Sequence, residues 1–216
     1  MVSNVLTKKY EMTARRNPDV TRENLLNAAT AEIRRHGFQA ASLDRIIAAA
    51  GVTKGALYHH FASKKELGYA VVDEAIRQHV VDAWIRPLAD TDDPIRTILD
   101  LMSDKLGEMG KEDVILGCPL NSIAQEMAPL DEGFRERTER LFQLWISGTS
   151  QALARGQKAG TVKKNVNPDK VARFMIAAIE GSLCMAKNAQ CLEVLKQNMV
   201  GLREYLEGIQ ISRVVS

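Results

Sequence analysis

Long apolar runs are missing from this chain: no stretch approaches the ~18 residues that a membrane-spanning helix needs. The first twenty residues carry Lys8, Lys9, Arg15 and Arg16 but no apolar segment, so a secretory leader is not expected either. Cysteine is scarce. Three residues, an odd number in no pairing pattern, fit a reducing cytosol, and a cytoplasmic location is the expectation. Four histidines, His36, His59, His60 and His79, stand in no zinc-ligand spacing with a cysteine. There is no Gly-rich phosphate loop, no G-x-S-x-G and no H-E-x-x-H. These absences point away from an enzyme: no catalytic residue, no metal and no cofactor is expected. Glu126 and Glu180 lie near apolar helical positions. A carboxylate buried there alone is costly, so each is either paired, exposed or turned toward a ligand.

What is present is an ordinary globular composition, 45% hydrophobic and 26% charged over 216 residues, enough for a sizeable core and one or two domains. The net charge of +2 hides an asymmetry. Residues 1–65 hold 11 Lys+Arg against 5 Asp+Glu, and the rest of the chain holds 18 against 22. A basic head on an acidic body suggests that the head alone meets a polyanion.

Helix signals dominate, and no period-2 strand stands between turn signals. The pattern predicts an all-α chain of about nine helices. Residues 1–18 read as a flexible basic arm, 19–66 as one unit and 67–216 as a second. Thr21 caps a helix that Gly37 ends; Ser42 caps Leu43–Ala50, which Gly51 stops; Thr53 caps a short helix to Phe61. Ser63-Lys64-Lys65-Glu66 is a capping box opening a long helix that ends near Pro87. Asp93-Pro94 and Asn167-Pro168 open two more, residues 110–119 read as a loop, and a helix from Asp131 is expected to close at Gly156. The last helix carries Leu192, Leu195, Met199, Leu202, Leu206 and Ile209 at 3,4 spacing.

The segment Ser42–Leu67 is the informative one. Two short helices flank a turn at Gly51, with Ile46, Val52 and Leu57 placed to pack them together. The second helix presents Thr53, Lys54, Gly55 and Ala56 at its N-terminus, where a recognition helix touches base edges. Ala50-Gly51-Val52, Gly55, Leu57-Tyr58, His60-Phe61 and Lys64 together resemble the signature of TetR/AcrR-family transcriptional regulators. The resemblance covers about residues 20–67. It implies a helix-turn-helix DNA-binding domain, a homodimer, double-stranded operator DNA as partner and repression relieved by a small-molecule effector. Carried over by position, Lys54 and Ala56 look like base-edge readers. Tyr58, His60 and Lys64 look like phosphate contacts, joined by Ser42 and Thr53, with Gly55 and His59 able to touch DNA too. Asp44 stands where some relatives carry a basic base reader, which argues against base contact from the first helix of the pair.

The C-terminal half resembles family effector domains less specifically. The resemblance implies a two-fold interface of the last two helices, for which the candidates are Phe174, Ala178, Gly181, Met185, Leu195, Met199, Leu202 and Leu206. For an effector pocket between the middle helices the candidates are Met102, Leu106, Cys118, Leu120 and Ile123, with Met127, Phe142, Trp145, Phe174 and Met175; plain core is the competing account for all of them. Cys118, in Gly117-Cys118-Pro119-Leu120 ahead of a helix, is either a thiol activated by helix amides or an inert packed one. The rival to a regulator is a helical small-molecule-binding protein or enzyme that has lost operator binding, against which Lys54, Tyr58, His60 and Lys64 all speak.

Overall fold

The computed structural model describes residues 18–211. The basic arm expected at residues 1–18 therefore lies outside the described residues, except for Pro18, where α1 (Pro18–Ala40) begins. The helix starts ahead of the expected Thr21 cap, with Asp19 in its first turn, where a carboxylate meets the positive end of the helix dipole. Gly37 ends the regular helix as expected: its φ of 78° and ψ of 166° are non-helical, and the turn that runs on to Ala40 is a separate one beyond the kink.

The next three helices follow their caps. Ser42 accepts from the Arg45 N–H ahead of α2 (Leu43–Ala50), Thr53 from the Ala56 N–H ahead of α3 (Lys54–His60), and Ser63 from the Glu66 N–H ahead of α4 (Lys64–Ala70). The long helix expected after Ser63 is present but not uniformly α. From α4 the chain passes through a wide π turn (Val71–Ile76), α5 (Arg77–Val80), a second π turn (Val81–Ile85) and a 3-10 turn (Arg86–Leu88). This run, residues 64–88, leads from the N-terminal helices into the larger bundle.

The bundle comprises α6 (Pro94–Glu108), α7 (Lys111–Leu116), α8 (Pro119–Met127), α9 (Glu132–Ala159), α10 (Pro168–Ala189) and α11 (Leu192–Ile209). Helix α7 replaces most of the expected 110–119 loop. Its start is held by the Asp113 carboxylate, which accepts the Gly110 N–H at 3.1 Å. Helix α9 passes through Gly156 instead of stopping there. A Cβ on Gly156 would lie 2.6 Å from Val162 Cγ2 and 2.7 Å from Pro94 Cδ, so glycine serves close packing at that position. Among the described residues there is no β-strand, only an isolated bridge between Val162 and Gln210.

The core runs through both halves without a gap in its apolar packing, from Leu25 and Ala29 through Leu67 and Phe134 to Leu206. At the joint, the Phe38 ring meets Phe134 edge-on with centroids 4.6 Å apart, and Tyr69 meets Phe134 at 4.8 Å. No helix of the described residues is long and apolar enough to cross a membrane.

Candidate nucleic-acid interface and ligand cavity

The helix pair α2–α3 is built from the inside outward. Leu57, Ile46 and Phe61 are buried and fix α3 against α2 and α1. Gly51 makes the turn at φ 65° and ψ 32°, in the left-handed region that glycine enters without strain, and its N–H returns to Ala48 O. With Leu57 inward, the opposite side of α3 is left to solvent. Thr53, Lys54, Gly55 and His59 are exposed, Tyr58 is 46% exposed, and Ala56 and His60 are half-buried. Of the residues expected to meet DNA, Thr53, Lys54, Gly55, Tyr58 and His59 are thus open to solvent. The Ser42 N–H donates to Glu32 at 3.0 Å; Glu32 also holds the Arg45 guanidinium. That contact keeps the Glu32 carboxyl below its usual range. Lys64 differs from expectation in being engaged internally. Its ammonium donates to Gln39 O at 2.9 Å and lies 5.1 Å over the Phe38 ring.

A cavity of about 360 Å³ lies between α1, the 64–88 run and helices α6, α9 and α10. Trp84, Trp145, Met109 and Ile179 supply apolar wall, and Cys118, Glu180, His79 and Lys105 supply polar groups. Of the ten residues expected here, Trp145 and Cys118 line it. The others do not, and the reason is packing. Met102, Leu120, Ile123, Met127 and Met175 are buried and fill the core; Leu106 and Phe142 are half-buried against it; Phe174 faces outward, 52% exposed. Apolar periodicity marks an inward face but cannot tell a filled interior from a walled space. Trp84 and His79 escaped sequence reasoning because a connecting helix gives no sign of which side meets a cavity, and Lys105 on α6 because a lysine reads as a solvent-facing position. Glu180 did carry a signal, a carboxylate on an apolar face.

The chemistry of Cys118 is opposite to that of an activated thiol. Burial pushes its pKa up, and the neighbouring Glu180 carboxylate adds to the rise. The amides of Asn121 and Leu120 at the start of α8 pull the other way and are outweighed. In intact protein at pH 7.5, Cys118 should therefore react with N-ethylmaleimide at least about tenfold more slowly than the exposed Cys191. Pulsed labelling read by peptide mass spectrometry checks this; equal rates would restore the activated-thiol reading.

Comparison with known proteins decides the family. Residues 25–71 match the family model for bacterial regulatory proteins of the tetR family, and residues 94–200 match that for the tetracyclin repressor-like C-terminal domain. The chain belongs to the TetR family. It is similar to the HTH-type transcriptional repressor DhaR of Mycobacterium sp. (strain GP1), 26% identical over 86% of this chain and 91% of that one. It is also similar to the repressor NemR of Escherichia coli K12, 24% identical over 86% and 94%. Among solved structures, a TetR transcriptional regulator from Chloroflexus aurantiacus superposes with a TM-score of 0.78 at 25% identity, covering 90% of this chain and 98% of that one.

In this TetR-family chain the last two helices offer an outward surface that differs in part from the expected one. On α10, Phe174, Gly181 and Met185 are exposed and Ala178 is half-buried. On α11 the expected Leu195, Met199, Leu202 and Leu206 are all buried inside the protomer, because the 3,4 seam packs onto the molecule's own core. The exposed residues of α11 include Val200, Gly201, Tyr205 and Gly208, beside charged ones such as Lys196 and Glu204. Phe174 and Tyr205 meet edge-on across the two helices, centroids 4.9 Å apart.

Proposed function

We propose that this protein is a dimeric repressor that binds operator DNA through α2–α3 and releases it when a small molecule occupies the cavity beside Trp84 and Trp145. Its site of action is then the cytoplasm. The observation carrying the DNA-binding half is the outward face of α3, where Thr53, Lys54, Gly55 and Tyr58 stand clear of a fully buried Leu57. The division of labour follows residues 19–66 for DNA and 67–216 for effector and dimer contacts. The names of DhaR and NemR, both called repressors, support the sign of regulation.

Two residues carry a path from cavity to DNA. Glu126, on α8, accepts the Phe38 N–H at 2.7 Å and the Gln39 N–H at 2.8 Å, directly after the Gly37 break in α1. Cys118, which lines the cavity, caps the other end of the same α8. A shift of α8 on effector binding would therefore move the end of α1 against which α2 packs. An effector acts by binding one of the two arrangements more tightly.

A gel shift with the promoter region beside the protein's own gene, with and without candidate effectors, tests the reading; no retarded band on that DNA removes it. Two variants refine it. Lys54→Ala should cost about 1–3 kcal/mol of operator affinity and relax discrimination at one base pair. Lys64→Ala should lower affinity on any sequence and reduce the slope of log K against log salt by about one. A fall in affinity with an unchanged slope would mean that Lys64 serves only its Gln39 contact.

A further inference from the structure

The cavity contains a buried acid with no cation or strong donor beside it. Glu180 is 7% exposed, neither carboxyl oxygen makes a well-formed hydrogen bond, and the only donor facing it is the weak Cys118 thiol. The indole N–H of Trp145 and the Nε–H of Arg34, which line the same cavity, are also buried and unpartnered. A protein interior rarely leaves such groups unmet, because each forfeits its hydration without replacement. Burial alone pushes the Glu180 pKa up to about 7, with the Cys118 thiol opposing the rise.

Resting on the effector reading above, we propose that this cavity recognises a small aromatic or aliphatic molecule carrying a protonated nitrogen, an amine or amidine, which Glu180 binds. An ammonium or amidinium supplies at least two donors and so can serve both carboxyl oxygens, whereas a hydroxyl supplies one. It also neutralises the charge that burial disfavours. The apolar body fits the walls. Trp84 and Trp145 lie 5.3 Å apart between centroids, with Met109 and Ile179 beside them. An indole face attracts cations, and that of Trp84 already carries one, the Lys105 ammonium 5.2 Å from its centroid.

The remaining charged and titratable groups come from every neighbouring element: Arg34 on α1, His79 on α5, Lys105 and Glu108 on α6, Asp113 on α7 and Cys118 before α8. Lys105 and Arg34 lower the His79 pKa, after burial, yet neither contributes to the shift at Glu180. No ion pair joins any of these cations to Glu180, whose carboxyl oxygens have no such partner. A ligand nitrogen beside Glu180 does not displace a resident ion pair.

The chain's two tryptophans both line this cavity, so tryptophan fluorescence, excited at the long-wavelength edge where the four tyrosines do not absorb, reports on it. Full-length protein is titrated with benzylamine, 2-phenylethylamine and benzamidine, and with the neutral benzyl alcohol and benzamide. At least one cation should quench saturably, and its neutral counterpart should bind about 10- to 100-fold more weakly. Affinity for the cation should rise with pH through about 7, where Glu180 ionises. Glu180→Gln should lose the same 10- to 100-fold and the pH dependence, and Glu180→Asp should keep part of both.

Melting curves control for folding. A raised pKa means that the folded state holds a proton the unfolded state has lost, so stability falls as pH rises toward 7. Glu180→Gln removes that loss and should melt higher than wild type at pH 8. Saturable binding of a cation that Glu180→Gln retains, equal binding of its neutral counterpart, or no binding by any of the three cations overturns the proposal. Gel shifts on the same samples separate the two readings. Binding without operator release would sink the effector assignment while leaving the Glu180 chemistry standing.

Discussion

Replacing Gly181 with tryptophan is expected to leave a folded monomer that no longer holds its operator. Gly181 lies on the outward face of α10, and a Cβ built there meets nothing within 4 Å. The added indole thus costs the single protomer little. In the proposed dimer the same patch faces its own copy across a two-fold axis, so the interface receives two extra ring systems. The loss of DNA binding follows from geometry. One recognition helix reads only a half-site, and joining two half-sites on one rigid dimer strengthens binding by about 10²–10⁴-fold. Sedimentation should show the mass fall by half while the circular dichroism melt stays close to wild type, and operator affinity should drop by that factor. A Gly181→Trp protein that sediments as a dimer would place the interface elsewhere, with Phe174 and Met185 left to be explained.

The second large effect should come from Glu126→Ala. The Glu126 carboxylate is the acceptor for two consecutive backbone N–H groups, Phe38 and Gln39, and both lie just past the left-handed Gly37. Hydrogen bonds to a charged group contribute about 1.5–3 kcal/mol, and loss of the shared acceptor leaves two donors at a helix break to find water. For a chain of this size the melting temperature should fall by roughly 3–12 °C. Operator affinity should fall too, because the end of α1 supports α2. The more telling readout is the response to an effector. If Glu126 links α8 to α1, whatever operator binding survives in Glu126→Ala should respond more weakly to effector than wild type does. A variant that melts and responds like wild type would show that the two halves communicate by another route, such as the Arg35–Glu112 ion pair.

Local chemistry was readable in the sequence where a single residue type decides a single backbone event. Ser42, Thr53 and Ser63 each accept the N–H three residues on, and Gly51 takes the positive φ that its place between two short helices requires. Those four residues define the helix-turn-helix and the start of the connecting helix. Elements set by contacts distant in sequence were less legible. Helix α7 hides between two glycines and depends on the Gly110–Asp113 contact. The seam of α11 has the same spacing whether it faces a second protomer or its own, and only the packing shows that Leu195 and Leu206 turn inward. Cys118 illustrates a contest of magnitudes. Its helix amides are visible in the sequence, but the burial that outweighs them, and the Glu180 carboxylate of α10 that adds to it, depend on contacts distant in sequence.

The aromatic contact at the joint bears on how the protein comes apart. Gly68 lies where a Cβ would sit 2.4 Å from Phe38 and 2.7 Å from Phe134, so residues from α1, α4 and α9 close around a position that admits only hydrogen. Reading and sensing are separate tasks, yet the apolar interior beneath them is continuous. Heat or denaturant should then find one cooperative unit instead of two. The N-terminal helices, cut away after residue 66, would expose Phe38 and lose both Glu126 contacts, so the DNA-reading segment is not a portable module. Its stability belongs to the whole chain, and substitutions deep in the sensing half can weaken operator binding without any ligand.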